Sequence, residues 1–443
     1  MQLRLPHVLI VLIALLIAII PLAPSFAKGD AGSDDSVRYT VEPGDTLIDL
    51  ARDYFRQPQD YRAVQKLNRI ANPRRIPVGM ILTIPYDLLK YRQETAQVAA
   101  FRGMARISAD GQGARMPELN QTISEGTGLA TGAASSLSLA VSDGSILTMP
   151  SNSVMRITRL RRIILTDSLD FEYALDKGAL RSIAAPARNS EDRFRVRTPS
   201  AVSAVRGTDF RTRFDDGANR SFAELVEGGL DVSASSGDSA RLEPGFGATI
   251  GAAGLNTEPL LTAPEVAQGS GIQRDPQLTF RVDTLPSASA YRLQIARDSS
   301  FIDIVEDVQS DGTSFTLDAL EDGNYFAKFT AIAASGLEGL PANIAFRRRL
   351  NSVSGSAGPS DDGFLFRWLA LGSGERRYRL QIFADNDAAQ APIVDEAGLV
   401  ESGISLSDLP AGEYRWRVGT IAFFEGESEQ VWTEFQTLRI DAD

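Results

Sequence analysis

Glu224 and Glu227 are the carboxylates of this chain best spaced for chemistry, three residues apart, and paired carboxylates are all that glycoside hydrolysis requires. They fall in an alternating segment, residues 222–226 and just beyond, where an odd spacing sends side chains to opposite faces of a strand. Glu227 reads as part of the following turn, so the pair is not expected to act together. The one histidine, His7, lies just before an apolar N-terminal run, and the chain has no cysteine. Beyond residue 27, a Ser-His-Asp triad, a Cys-His pair and a usual zinc site are therefore all excluded. Gly126-Thr127-Gly128-Leu129-Ala130-Thr131-Gly132 has its third glycine displaced and no βαβ surroundings, so it is no dinucleotide loop. Asp385-Asn386-Asp387 lacks the glycine and distal glutamate of a calcium loop and reads as an acidic turn. Arg347-Arg348-Arg349 reads as a solvated strand edge that deters pairing. The expectation is a protein that is not an enzyme, with no catalytic residue, no cofactor and no metal.

Two loops marked by glycine and proline remain, and the stretch 37–85 shows what must hold them. Val37, Tyr39 and Val41 alternate with Arg38 and Thr40, as in a half-buried strand. Pro43-Gly44-Asp45 stops it, and Asp45 or Thr46 suits the N-cap of a helix. Leu47, Leu50, Ala51 and Tyr54 make one helical face. A second helix is expected over residues 61–68, with Val64 and Leu67 facing inward. Leu82 and Ile84 alternate in a returning strand that Pro85 ends. A unit of about 48 residues must give most of its apolar side chains to its core.

This unit resembles the LysM module. The resemblance rests on Tyr39, Val41, Gly44-Asp45-Thr46-Leu47, Leu50-Ala51, Leu67-Asn68, Pro73, Ile76-Pro77-Val78-Gly79 and Leu82, Ile84 and Pro85. It implies a β-α-α-β fold that binds N-acetylglucosamine glycans, peptidoglycan or chitin-like, in a shallow groove between two loops. The implied site is Gly44, Asp45, Thr46 and Leu47 on one loop with Ile76, Pro77, Val78 and Gly79 on the other. Backbone groups freed by Gly and Pro would bond the acetamide, and small apolar side chains would take its methyl. The plainer roles are a cap for Asp45 and a turn for Gly79. Asn72-Pro73-Arg74-Arg75 is basic for a loop facing a neutral sugar.

At 443 residues the chain suggests three or four domains, and 43% hydrophobic with 23% charged residues is ordinary for folded protein. Its net charge of −12 argues against nucleic acid or anionic lipid as a partner. Residues 1–27 read as a signal peptide: Arg4, an apolar run over residues 8–20, Pro21, then Ser25-Phe26-Ala27. That run is short of the ~20 residues of a span, although an uncleaved anchor extending through Phe26 is the alternative. The expected result is a periplasmic or secreted, cell-wall-associated protein with no stable membrane span after signal cleavage. Without cysteine it has neither a lipid-modified cysteine nor disulfides.

The expected order is a 28–36 linker, a 37–86 LysM-like domain and a short helical connector over residues 86–95. Then come an all-β region at 99–255, a 256–276 linker, and two sandwiches at 277–350 and 351–443. Strands are expected at 138–141, 145–149, 154–160, 194–197, 209–214 and 222–226, between Gly-, Asp- and Ser-rich turns. The 99–255 region resembles the FecR domain through Leu139-Ala140-Val141-Ser142-Asp143-Gly144-Ser145, Pro150-Ser151-Asn152-Ser153 and Asp176-Lys177-Gly178-Ala179-Leu180. Arg197-Thr198-Pro199-Ser200-Ala201-Val202-Ser203-Ala204-Val205-Arg206-Gly207-Thr208-Asp209-Phe210, Val226-Glu227-Gly228-Gly229-Leu230-Asp231-Val232 and Leu242-Glu243-Pro244-Gly245 complete the order. Spaced glycines after each strand favour a solenoid-like or rolled architecture. The resemblance implies the periplasmic half of an anti-sigma regulator. The cytoplasmic half of such regulators is not recognisable here, which leaves an interaction or spacer module.

The last third repeats. Tyr291-Arg292-Leu293-Gln294-Ile295 recurs as Tyr378-Arg379-Leu380-Gln381-Ile382, and Leu320-Glu321-Asp322-Gly323-Asn324-Tyr325 as Leu409-Pro410-Ala411-Gly412-Glu413-Tyr414. Alternation and the Leu-x-x-Gly-x-Tyr corner resemble fibronectin type III-like sandwiches, with Trp368, Trp416 and Trp432 expected in their cores. The expected function is a non-enzymatic glycan-binding anchor that presents a surface to an unidentified envelope protein. The alternative is a signalling or sensory accessory acting through the FecR-like domain.

Overall fold

Strands make up 57% of the chain and helices 5%, and among the described residues every helix lies before residue 89. The structure is a computed structural model that describes residues 35–109, 113–205, 207–318, 320–361, 363–384, 391–424 and 426–441. The expected signal peptide, all but the end of the 28–36 linker and the acidic turn at Asp385-Asn386-Asp387 lie outside the described residues.

In the first unit, strands Ser36–Thr40 and Ile81–Pro85 pair antiparallel, with Val37 opposite Ile84 and Tyr39 opposite Leu82. Helix α1 (Leu47–Tyr54) buries Leu47, Leu50 and Ala51 against them. Its cap is Thr46: the hydroxyl accepts the Asp49 N–H at 3.0 Å and donates to Asp49 Oδ2 at 2.6 Å. Thr46→Ala should cost about 1 kcal/mol locally, read as roughly fivefold faster amide exchange along α1. Unchanged exchange there would remove the cap from the account.

Helix α2 (Tyr61–Leu67) buries Val64 but leaves Leu67 52% exposed, against expectation. Asn68, one turn beyond Val64, takes the inward place instead. Its amide donates to the carbonyls of Val64 and Thr83 and accepts the Thr83 N–H, tying α2 to the returning strand. The connector also differs from the expected helix. One 3-10 turn, Tyr86–Leu88, gives way to strand Tyr91–Gln93, which pairs with residues 161–163. The turn carries Leu89 inward, and Ile163 and Leu165 from the next unit complete the first unit's core.

From Tyr91 to Pro259 the strands form one hydrogen-bonded sheet rolled around a single core that includes Val98, Leu137, Ile157, Tyr173, Phe210 and Leu225. Strand Leu169–Ile183 runs through both layers. Residues 169–177 pair antiparallel with Val154–Ile163, and 178–183 pair with Asp209–Asp215 and Ile146–Met149. The strand changes partners at Gly178, where φ is +78° and a Cβ would meet Asn152 O at 2.6 Å. Only glycine fits that crossing.

Two sandwiches follow, each with a three-stranded and a five-stranded sheet. The repeated Tyr-Arg-Leu-Gln-Ile motifs occupy strands Ala288–Ala296 and Glu375–Ala384, each paired with the strand that follows its tyrosine corner. Tyr325 OH donates to Glu321 O at 3.0 Å and Tyr414 OH to Pro410 O at 2.6 Å, the corner bond of fibronectin-type sandwiches. Residues 256–276 are folded rather than a free linker: Gly254–Pro259 closes the rolled sheet, and Val266–Gln268 and Gly271–Gln273 are the first strands of the next unit.

Two sequence expectations fail here for packing reasons. Arg348 is fully buried, not a solvated edge; its guanidinium donates to the carbonyls of Gln273 and Pro276, which the folded 256–276 segment brings to it. Trp368 and Trp416 are core, but Trp432 lies half-buried on the outer face over Gly419, with Arg417 stacked at 4.3 Å.

Candidate functional site

The two glycine-marked loops lie side by side because the strand ladder continues past its ends. Val41 N–H donates to Met80 O at 2.9 Å, and Gly79 N–H to Val41 O at 2.8 Å. A third bond closes the base: Leu47 N–H, one of the donors a helix start leaves without an internal acceptor, donates to Pro73 O at 2.9 Å. Asn72 shapes the approach, accepting the Arg74 N–H on its side chain and the Arg75 N–H on its carbonyl. Sequence reasoning missed the bracing role of residues 72 and 73, although Asn-Pro is itself a turn signal.

The eight expected site residues divide. Gly44, Pro77, Val78 and Gly79 are exposed, Val78 at 63%, and Asp45 and Thr46 are half-buried. Leu47 and Ile76 are core side chains, with 0% and 8% exposure, and cannot touch a ligand with those side chains. Gly44 and Gly79 take φ of +97° and +81°, and an added Cβ at either meets nothing within 4 Å. Glycine is needed there for the backbone angle, and the space above both is open. The N–H groups of Gly44, Thr46, Ile76 and Val78 have no acceptor among the described residues.

Asp45 Oδ2 is held inside its own turn, accepting the Tyr39 hydroxyl and the Glu42 N–H, each at 2.8 Å. Burial, and next the Asp45 carboxylate, pushes the Tyr39 phenol above its ordinary range, so it does not ionise near neutrality. The exposed Arg74 and Arg75 flank the loops. Free N–H groups and an exposed valine suit hydrogen bonding to a neutral amide.

Glu224 and Glu227 do point to opposite sides. Glu224 is 2% exposed and bonded to Arg211, whereas Glu227 is exposed. Among the described residues no group of three His, Cys, Asp or Glu side chains is placed to hold a metal ion, and no helix is long and apolar enough to cross a membrane.

Fold and loops together define a multidomain, mainly β protein whose helical unit, among the described residues, carries the candidate groove. Residues 39–85 match the LysM domain and residues 127–231 the FecR protein family, so the chain contains a LysM domain and a FecR domain. No curated protein matches the chain. Among solved structures it is similar to a Parabacteroides distasonis protein provisionally described as an anti-sigma factor, with 16% identity and a TM-score of 0.25 over 30% of this chain. The chain spans 59% of that protein's length. It is also similar to a two-domain fibronectin type III segment of chicken tenascin, with 18% identity and a TM-score of 0.21, covering 41% of this chain and 99% of the segment.

Proposed function

We propose that this protein is a non-enzymatic anchor of the bacterial envelope that binds N-acetylglucosamine glycans, peptidoglycan above all, through its LysM domain. In this reading it is exported, with residues 1–27 as signal, and its FecR domain and sandwiches present a surface to another envelope protein. The observation that carries the reading is the pair of braced loops, 44–47 and 76–79, with unpaired N–H groups and open space over both glycines. The sugar contact uses their exposed part: Gly44, Asp45, Thr46, Pro77, Val78 and Gly79, with Leu47 and Ile76 contributing backbone only. One shallow neutral groove binds weakly, in the high micromolar range or above by affinity arithmetic, so retention on a wall depends on repeated attachment.

The test is co-sedimentation with purified sacculi. A deletion of the LysM domain is a poor control, because Ile163 and Leu165 pack into its core and would be uncovered. Val78→Asp changes an exposed side chain and leaves the fold alone. It should weaken sedimentation at least tenfold, and chitin oligomers should compete with the wild type. Because the contact is neutral, raising salt to about 0.5 M, where charge attraction is screened within ~4–5 Å, should change binding little. Equal sedimentation of the variant, or release by that salt, would count against the proposal.

A further inference from the structure

The repeat that builds the two sandwiches also builds two equivalent sheet faces. In the first sandwich Arg292 and Gln294 lie on the outer face of the five-stranded sheet, with Thr330 opposite Arg292 and Lys328 opposite Gln294. The FecR sheet closes on this face: Arg292, Gln294 and Lys328 line one cavity with its Arg181, Asp209 and Arg211. Arg211 also donates to the carbonyls of Glu338 and Gly339, and the Glu338 N–H donates to Glu224. The sandwich supplies a carboxylate to this contact, since Glu338 pairs with its own Arg292 and with Arg211 across the interface.

The second sandwich begins the same way. Asp395 accepts from Arg379 and Gln381 as Asp307 accepts from Arg292 and Gln294. Then the faces diverge. Arg417 stands opposite Gln381 where Lys328 stands opposite Gln294, and Arg377 and Arg415 take the places of Ala290 and Phe326. Gln430, opposite Ile421, takes the place of Glu338, which is opposite Ile332. Glu375 and Asp395 are already paired, with Arg377 and Arg379, each at 2.6 Å. Arg417 has a neutral partner instead, donating to Gln381 Oε1 at 2.9 and 2.8 Å. Its guanidinium stacks on two rings, 4.3 Å from the centre of Trp432 and 4.8 Å from that of Phe435. Arg415 and Arg379 extend the row, 5.3 Å from Phe435 and 6.0 Å from Trp432. Stacking fixes a guanidinium and leaves edge N–H groups for a planar acceptor. Phe435 is 44% exposed, and among the described residues no hydrogen bond, ion pair or ring contact joins Arg379, Arg417 or Trp432 to another unit.

We propose that this face docks the acidic surface of a partner protein, whose carboxylates pair with Arg417 and the arginines in row with it. Two observations select that occupant. The equivalent face one repeat earlier already packs against a protein surface, the FecR sheet. The second face has gained arginines and has glutamine in place of Glu338, so the carboxylate must come from the other side. Arginine and aromatic side chains clustered on one patch are the usual anchors of protein contacts. The patch is basic on a chain whose net charge is −12, which makes it the place where an acidic partner is not repelled. The proposal rests on the reading of the sandwiches as a surface for another protein, and is independent of the glycan groove.

The experiment is fluorescence-polarisation titration of the full chain with a labelled oligoglutamate peptide, beside oligoglutamine and inorganic polyphosphate at matched ionic strength. Saturable binding of oligoglutamate is expected, weakened roughly tenfold or more in Arg417→Gln by loss of a charge-assisted contact. Arg367→Gln, which removes an exposed arginine from the opposite sheet, should bind as wild type does. No saturable binding, equal loss in both variants, or polyphosphate binding as tight as oligoglutamate overturns the proposal. Should Arg417→Gln not fold, Gln430→Glu changes an exposed residue and restores the carboxylate that the first sandwich carries there. A several-fold loss of affinity in that variant supports the docking face, and an affinity equal to wild type rejects it. The groove variant Val78→Asp should bind oligoglutamate normally, so the glycan contact and the protein contact fail separately.

Discussion

Glu338→Ala should separate the first sandwich from the FecR domain, at a cost of roughly 3–5 kcal/mol, the range for removing one partner of a buried ion pair. Glu338 is the centre of that interface. Its Oε1 accepts the Thr330 hydroxyl at 2.7 Å and its Oε2 accepts Arg292 at 2.8 Å. Its N–H donates to Glu224 Oε1 at 2.9 Å, and Arg211 reaches the carbonyls of Glu338 and Gly339. Truncation keeps the backbone bonds but leaves Arg292 and Arg211 short of a charge. The adjoining apolar contact of Phe222, Leu260 and Leu337 is too small to offset that loss.

The pH dependence has a definite sign. Burial raises the Glu338 pKa, but Arg211 and Arg292 outweigh it and hold the carboxyl at about 2, below the ordinary 4.5. A depressed carboxyl contributes stability that is complete above about pH 4.5 and is lost as pH falls through about 2. Glu224 behaves oppositely: burial raises its pKa, with Arg211 offsetting only part, so its ionised form detracts from stability. Acidification should therefore relieve Glu224 first and loosen the interface only below about pH 4.5. Amide exchange across residues 211–213 and 336–339 reads this directly. A Glu338→Ala protein that keeps both wild-type protection and the acid limb would sink the account.

Trp416→Ala should unfold the second sandwich at about 3–5 kcal/mol lower stability, as large aromatic truncations in cores do. Trp416 is 1% exposed and packs edge-on against Phe366 at 5.1 Å. The opposite sheet closes on it at Gly355, where a Cβ would come within 2.8 Å of its ring. No neighbour can collapse into the space without breaking that sheet-to-sheet contact. Trp432→Ala is the internal control. Its ring lies on the outer face under Arg417, and an exposed cation–π contact is worth about 0.5–1 kcal/mol. Denaturant unfolding of both variants checks the ranking; equal losses would mean that Trp416 does not organise the core.

Much of the fold was legible because local patterns report local structure. Alternation located the strands of the FecR region, and the Tyr-Arg-Leu-Gln-Ile repeat located equivalent strands in both sandwiches. The glycines of the candidate groove were legible too, since only a positive φ explains them where no crowding does. The division of the eight site residues into exposed and core was not. Leu47 and Ile76 belong to the same motifs as Gly44 and Gly79, and only three-dimensional burial tells them apart.

By itself the sequence determined the fold class, the two loops and the absence of histidine- and cysteine-dependent chemistry beyond residue 27, because periodicity and residue inventory are properties of the chain. Tertiary structure alone decided what each face meets. Arg348 reads as part of a solvated strand edge, yet it is buried, as Lys328 is, and Glu338 and Arg292 are nearly so. Ile163 ends a strand that the sequence reading stops at residue 160, and it completes the LysM core. A two-residue period says which side a side chain takes, and the partner on that side comes from chain segments that only folding brings near, such as Gln273 and Pro276 to Arg348.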